Sequence, residues 1–219
     1  MCSYDPYQKW ADEYDDQSHK YQWHGPAILF GMMFPRLSAG ETLLDLGIGT
    51  GLGALSFHRT GLKIVGIDSS PSMIERCRSR GLEWTIYQHD LTQTPWPLES
   101  GSIDHVVTAG VTHFIRDLRS VFDEVSRVLK PGGLFGFDYN EFNRETAQDY
   151  VCLENGIYHS YDAEYAQDLY RHSEGYVLAI MSETGFEMIH NTEFLVSREP
   201  KRFFRAVVAE RKVDGPARP

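Results

Sequence analysis

The chain reads as an α/β protein built on a mostly parallel sheet, and three observations carry that reading. Short apolar runs alternate with helix-compatible segments from Thr42 to Asp138. A glycine-rich turn follows the first of those runs, and two strand-like segments joined by a Glu199-Pro200 turn close the pattern. Strands alternating with helices imply parallel pairing through right-handed crossovers. A final strand hairpin adds one antiparallel strand, an ending that ordinary dehydrogenase domains do not usually have.

Residues 1–40 look helical and precede the sheet. Tyr7 to Ser18 is polar and rich in Tyr and acids, and Gly25-Pro26 opens a second helix with Ile28, Leu29, Met32 and Met33 on its apolar face. Gly40 closes it. Strand one is Thr42 to Leu46, followed by a helix from Leu52 to about Thr60 capped by Gly61. Strand two, Lys63 to Ile67, ends in Asp68, and Pro71 then stands at the favoured first position of a helix that stops at Gly81. Strand three is Glu83 to Gln88, ending at His89-Asp90. LTQTPWPLESGS is a loop on account of its two prolines. Strand four is Ile103 to Thr108. A helix spans about Arg116 to Leu129 and stops at Lys130-Pro131-Gly132-Gly133. Strand five, Leu134 to Phe137, ends in Asp138. Residues 141–172 are rich in Tyr and Asp, weakly periodic, and read as a variable insertion, helical if it has any regular structure. Ser173 to Thr184 is a helix, and Glu187 to Ser197 and Arg202 to Arg211 are the closing strands. Residues 212–219 read as a flexible tail.

The densest information lies in LLDLGIGTGLGAL, Leu43 to Leu55. A strand ends in Asp45, Gly47, Gly49 and Gly51 recur at every second position, and a helix follows. Glycine lets the backbone turn and approach a ligand closely, and the amides opening the next helix point into the turn. This is a nucleotide-type cofactor site. The glycines, with Asp68 about twenty residues on, also satisfy the dinucleotide pattern. Asp45 favours a different cofactor. A carboxylate before the glycines repels a pyrophosphate, whereas S-adenosylmethionine (SAM) carries an ammonium and a sulfonium and no phosphate.

Composition narrows the partners. The chain has 219 residues, 42% hydrophobic, with a formal net charge of −10, so it suits one domain and offers no basic face for a nucleic acid. Cys2, Cys77 and Cys152 form no CxxC and no disulfide framework, which fits a reducing cytoplasm. The amino terminus lacks the features of a signal peptide, and the longest apolar stretch, AILFGMMF, is too short to span a bilayer. The expected setting is cytoplasmic, without nucleic acid or membrane. The His, Cys and acid positions show no spacing that demands a metal.

Four segments in series, LLDLGIGTG, VGIDSSPSMIERC, HDLTQTPWPLESGSIDHVV and SRVLKPGGLFGFD, resemble class I SAM-dependent methyltransferases of the type 11/12 kind. The opening YDPYQKWADEYDD and the ending HSEGYVLAIMSETGFEMI are similar to the methyltransferase domains that accompany tetratricopeptide repeats and to the Williams–Beuren-region methyltransferase group. The resemblance implies a Rossmann-like, seven-stranded sheet with strand seven antiparallel and helices on both faces. It also implies an N-terminal helical lid over residues 1–40, a methyltransferase domain over 41–211 and a substrate lid at 141–172.

The same resemblance assigns the site. Asp45, Gly47, Gly49, Thr50 and Gly51 would surround the methionine moiety. Asp68 would accept from both ribose hydroxyls, unless it only caps the following helix. Ser69 and Met73 would line the adenosine pocket, although a helical Met also suits a core. Asp90 would accept from the adenine amine and the Leu91 amide would meet a ring nitrogen. Ala109 and Gly110 would offer carbonyls to the ammonium and leave room for the sulfonium. Tyr14 would close over the cofactor, with Tyr21 and Trp23 as further lid residues. His113 is the candidate general base, with a structural loop histidine as the plain reading. By position rather than resemblance, Tyr139 and Asn140 would face the acceptor, and His159, Tyr161, Tyr165 and His172 suit either a substrate lid or the surface of a loose helix.

The implied activity is in-line methyl transfer from SAM to a small-molecule acceptor by a monomer or homodimer. Its alternatives are a non-catalytic SAM-binding module, a methyltransferase acting on a protein, and a dinucleotide-dependent oxidoreductase. Base methylation is disfavoured, because Ala109-Gly110-Val111-Thr112 stands where an Asn-Pro-Pro-Tyr motif would be needed.

Overall fold

In the computed structural model, residues 11, 14–20, 23–143, 149–163, 167–198 and 201–213 are described. Expectations for the first ten residues, for Tyr21 and Tyr165, and for the tail beyond Val213 lie outside them. Two helices come first, α1 (Tyr14–Lys20) and α2 (Gly25–Met33), the latter continued by a 3-10 turn at 34–36. The strand-and-helix alternation follows: β1 (Thr42–Leu46), α3 (Ala54–Arg59), β2 (Lys63–Asp68), α4 (Pro71–Arg78), β3 (Thr85–Gln88), β4 (Ile103–Thr108), α5 (Arg119–Val128) and β5 (Leu129–Tyr139). An insertion supplies β6 (Val151–Glu154), β7 (Ile157–Asp162) and β8 (Gln167–His172). Helix α6 (Glu174–Glu183), β9 (Phe186–Arg198) and β10 (Lys201–Arg211) complete the fold.

Seven strands form one sheet in the order β3-β2-β1-β4-β5-β10-β9. Neighbours from β3 to β5 pair in parallel, and β10 is antiparallel to both β5 and β9. The strand hairpin and the family resemblance therefore meet in the sheet order. Leu43, Leu44 and Leu46 of β1 are fully buried because helices cover both faces of a parallel sheet. One apolar layer packs Phe122, Val125 and Ile180 of α5 and α6 on Phe135 and Phe137. The other packs Leu29, Met33 and Phe57 of α2 and α3 on Leu43, Ile64 and Val208. Among the described residues no helix is long and apolar enough to cross a membrane.

Strand five differs from its expectation. It starts at Leu129, so Lys130 to Gly133 lie inside it as a bulge, with Ile103 opposite Leu129 and His105 opposite Leu134. Asp104 holds the bulge, accepting from Lys130 Nζ at 2.6 Å and from the Thr42 amide at 2.9 Å. A Cβ on Gly133 would stand 2.4 Å from the Asp104 carbonyl oxygen.

The insertion is also not helical. Strands β6, β7 and β8 make a separate antiparallel sheet, stitched to the end of β5 where the His172 amide donates to the Asn140 carbonyl at 3.1 Å. The missed signal is Asn155-Gly156. Both residues have positive φ, 47° and 85°, and an Asn-Gly pair of that kind joins two strands in a two-residue hairpin.

The loop after β3 is clamped rather than free. Glu124 Oε2 accepts from the Trp96 amide at 2.7 Å, and Arg127 donates to the Trp96 and Leu98 carbonyls while pairing with Glu124. This holds the segment after Asp90 against α5.

Two outcomes follow. Gly133→Ala pushes β4 and β5 apart and should cost about 1–3 kcal/mol in urea unfolding, an overpacking penalty. Burial raises the Glu124 carboxyl, but hydrogen bonds from Arg127 and the Trp96 amide outweigh it and hold the group below its ordinary 4.5. Its stabilisation is therefore complete above that value and is lost as the pH falls below it. Acid unfolding of Glu124→Gln should lack that component, and identical acid limbs in the two proteins would contradict it.

Candidate cofactor and active site

The turn between β1 and α3 folds back on β2. The Gly47 and Ile48 amides both donate to the Ile67 carbonyl, at 2.8 and 3.1 Å. Gly47 has φ +70°, and a Cβ there would lie 2.4 Å from Val111 Cγ2. The turn can therefore pass beneath the loop after β4 only without a side chain. Gly51 (φ +80°) serves packing instead. A Cβ on it would meet the Trp84 ring at 2.5 Å and Cys77 Sγ at 2.7 Å, and it lines neither of the cavities that hold the other expected residues.

Asp68 joins the turn to the next helix. Its Oδ2 accepts from the Gly49 amide at 2.8 Å and its Oδ1 from the Ser70 amide at 2.9 Å. It is not the helix cap. Ser70 is, its hydroxyl accepting from the Met73 amide at 3.2 Å. Carboxylate oxygens accept more than one hydrogen bond each, so a vicinal diol can still be met by both.

Two cavities open along the C-terminal edge of the sheet. The first, about 330 Å³, takes Asp68, Ser69 and Met73 from one side and Asp90 and Leu91 from the next. Its floor is Ala109 and Gly110, and Phe114 and Ile115 close the far wall. Asp90 is exposed and its Oδ1 accepts from the Thr92 amide and hydroxyl, both at 2.8 Å, so it shapes its own loop as well as the wall. The second cavity, about 260 Å³, is lined by Asp45, Thr50, Trp23 and Ser56. Tyr14, Gly47, Gly49 and Ala109 belong to both, so the two share a wall.

Helix α1 is locked over this junction. Thr50 Oγ1 donates to Asp15 Oδ1 at 2.6 Å, and Arg80 bridges Asp15 Oδ2 at 2.5 Å and the Thr50 carbonyl at 2.6 Å. Thr50 thus spends its hydroxyl on the helix, and it reaches the second cavity only as part of the wall.

The electrostatics are acidic. Asp45 is buried, and burial with a smaller contribution from Asp68 pushes its carboxyl up to about 8. Burial raises Asp138 to about 7, against the Gly110 amide that favours its ionised form. Tyr14 is raised chiefly by burial, with the Ser18 hydrogen bond opposing and Asp138, Asp15 and Asp45 adding. Such a wall suits a cation and repels a pyrophosphate. Among the described residues no group of three or more His, Cys, Asp or Glu is placed to hold a metal.

His113 is not in either cavity wall. Its ring lies between Phe114 (4.0 Å) and Phe204 (5.5 Å), and burial, with His172 adding, lowers it to about 4. A ring held so low is neutral at pH 7 and a weak base, and its expected general-base role stands as a proposal. Tyr139 is buried in the sheet beside Phe137 and lines neither cavity. His159 pairs with Asp168 at 2.7 Å in the insertion, and Tyr161 is exposed there. His172 is buried, its Nε2 on the Arg116 carbonyl at 3.0 Å. Sequence reasoning passed over Asp138 and Arg80. The first stood out only as a polar residue ending an apolar strand, and the second carried no local signal.

Comparison with known proteins agrees with the fold. Residues 44–137 match the family model described as a methyltransferase domain. The chain is 33% identical over 97 residues to demethylmenaquinone methyltransferase of Tropheryma whipplei, covering 44% of this chain and 41% of that protein. It is 30% identical over 172 residues to sterol 24-C-methyltransferase of Pneumocystis carinii, covering 74% and 44%. The chain thus spans less than half the length of these two curated relatives. In fold it is similar to a SAM-dependent methyltransferase from Methanosarcina mazei, with a TM-score of 0.73 at 18% identity, covering 84% of this chain and 98% of that one. These similarities support a class I methyltransferase family, with S-adenosylmethionine as its cofactor, for the domain at residues 44–137.

Proposed function

We propose that this protein transfers a methyl group from SAM to a small-molecule acceptor. The observation that carries the reading is the pair of adjoining cavities. One presents a diol acceptor, Asp68, and the other a buried carboxylate, Asp45, with Ala109 between them. A ligand with a ribose at one end and an ammonium at the other matches that order of groups.

When bound, SAM supplies an electrophilic methyl on a sulfonium that is already a good leaving group. What the chain must add is alignment and exclusion of water. Asp68 holds the ribose hydroxyls, Met73 and Leu91 flank the adenine, and Asp90 accepts from its amine. Asp45 faces the ammonium side. Tyr14 on its locked helix covers the junction, and the backbone of Gly47, Gly49 and Gly110 lines the cavities where the donor lies. The 1–40 segment and the insertion are read as the lid, since β8 backs the turn that carries Phe114 and Ile115. An acidic surface and the names of the two curated relatives, which act on a quinone precursor and a sterol, favour a small acceptor over a nucleic acid.

Asp68→Ala should weaken S-adenosylhomocysteine binding by about 2–3 kcal/mol, because charge-assisted hydrogen bonds to the ribose are lost. A change within titration error would place the ribose elsewhere. For the reaction, the full chain is incubated with methyl-tritiated SAM and a panel of phenols and small carboxylic acids. Label should pass to an acceptor with an equal amount of S-adenosylhomocysteine formed. Tight homocysteine-form binding with no label transferred would favour a binding module.

A further inference from the structure

Asp138 ends β5 with its side chain wholly buried. Oδ1 accepts from the Gly110 amide at 2.9 Å, and the residue's carbonyl accepts from the Thr112 hydroxyl at 2.7 Å. Oδ2 has no hydrogen-bond partner among the described residues. It lies against Gly25 and the Trp23 indole. A Cβ on Gly25 would be 2.9 Å from Oδ2 and 2.6 Å from Trp23 Cζ2, and a Cβ on Gly110 would be 3.1 Å from the same indole carbon. Two residues without side chains thus let an aromatic ring seal a carboxylate directly behind the cavity floor. Buried polar atoms are nearly always paired, so an orphaned oxygen here asks what compensates it.

Its position supplies the answer. Ala109 stands in the shared wall of the two cavities and Gly110 follows it. A ligand that places its ribose at Asp68 and its ammonium near Asp45 has its central atom at that wall. Asp138 and Asp45 both act on the Tyr14 hydroxyl, which covers the same point.

We propose that Asp138 reads the charge at the centre of the cofactor, its buried carboxylate behind Ala109 and Gly110 making the site prefer a cationic donor over the neutral thioether product. This rests on the reading of the site as a SAM site. SAM carries a sulfonium where S-adenosylhomocysteine carries an uncharged sulfur. In a low-dielectric interior a carboxylate across one layer of backbone senses that difference far more than it would in water. The preference favours exchange of product for fresh donor.

A pH dependence follows from the burial that raises Asp138 to about 7. A cation in the site stabilises the ionised carboxylate and lowers its pKa in the complex. Below about pH 7 binding a cation therefore expels a proton, and affinity rises with pH. Above it the carboxylate is already ionised and the rise flattens. The other ionisable groups around the junction are Tyr14 and Asp15 of α1, His24 beside Gly25 in the second cavity, Asp45 of β1, Asp68 of β2 and Asp90 in the first cavity. His113 and His172 lie beyond the Thr112 contact. Asp45, raised to about 8, is the competing source of such a dependence.

The test titrates the full chain with sinefungin, whose amine replaces the sulfonium, and with S-adenosylhomocysteine, from about pH 6 to about pH 8. The ratio of the two affinities cancels the shared ribose, adenine and amino-acid contacts. In the wild type the ratio should move toward sinefungin by roughly tenfold, the scale of one proton displaced. Asp138→Asn should flatten the ratio, while Asp45→Asn weakens both ligands and leaves the slope. In the wild type alone, the heat of sinefungin binding near pH 7 should vary more steeply with the ionisation heat of the buffer than that of S-adenosylhomocysteine, whose ammonium meets only Asp45. A flat wild-type ratio overturns the proposal, as does a slope that survives Asp138→Asn and vanishes in Asp45→Asn. Failure of both ligands to bind at any pH would instead overturn the reading of the site on which it rests.

Discussion

The carboxylate of Asp68, held between the Gly49 and Ser70 amides, is the contact on which the rest of the site depends. It ties the turn after β1 to the start of α4, so two crossovers that are separate in the chain share one anchor. The loop after β4 is then placed by contact, because Val111 packs where Gly47 has no side chain. Arg80, just beyond α4, carries the same frame outward through Asp15 and Thr50 to α1. The shared wall of the two cavities and helix α1 are thus positioned from a single point on the sheet edge.

Most of the central sheet was legible because its signals are local. Thr42 to Leu46 and Ile103 to Thr108 are apolar runs bounded by turn residues, and they are strands with those limits. Gly61 and Gly185 end their helices with positive φ, as a glycine at a helix end does. What was not legible is non-local. Lys130 to Gly133 looks like a helix stop, and it is one, but Asp104 and Thr42 of other strands convert it into a bulge of β5. The insertion misled in the opposite way. Its Asn155-Gly156 hairpin signal is local, yet a high density of Tyr and Asp hid the alternation on either side. Within the site, acids and glycines were visible from their spacing. The packing of His113 between Phe114 and Phe204 was not visible, because Phe204 lies on a strand distant in sequence.

Three carboxylates, Asp45, Asp68 and Asp138, come to one sheet edge on three different strands. Two are buried and held well above the ordinary carboxylate range, while Asp68 is supported by amides. Burial without full pairing destabilises the empty protein. A cation placed against such groups would offset that cost by favouring their ionised forms.

Strand β10 is the last strand of the sheet in the order of synthesis, yet it lies inside the sheet, between β5 and β9. Until Lys201–Arg211 has emerged from the ribosome, β5 has an open edge and β9 has no partner in the sheet. Everything that builds the cofactor walls precedes that point, including β1, β2, β4 and Asp138 on β5. The nascent chain can therefore assemble a nearly complete binding crevice while one flank of its sheet stays exposed to intermolecular pairing. Bound cofactor would stabilise that intermediate by mass action, so its concentration in the cell bears on the yield of folded protein as well as on turnover.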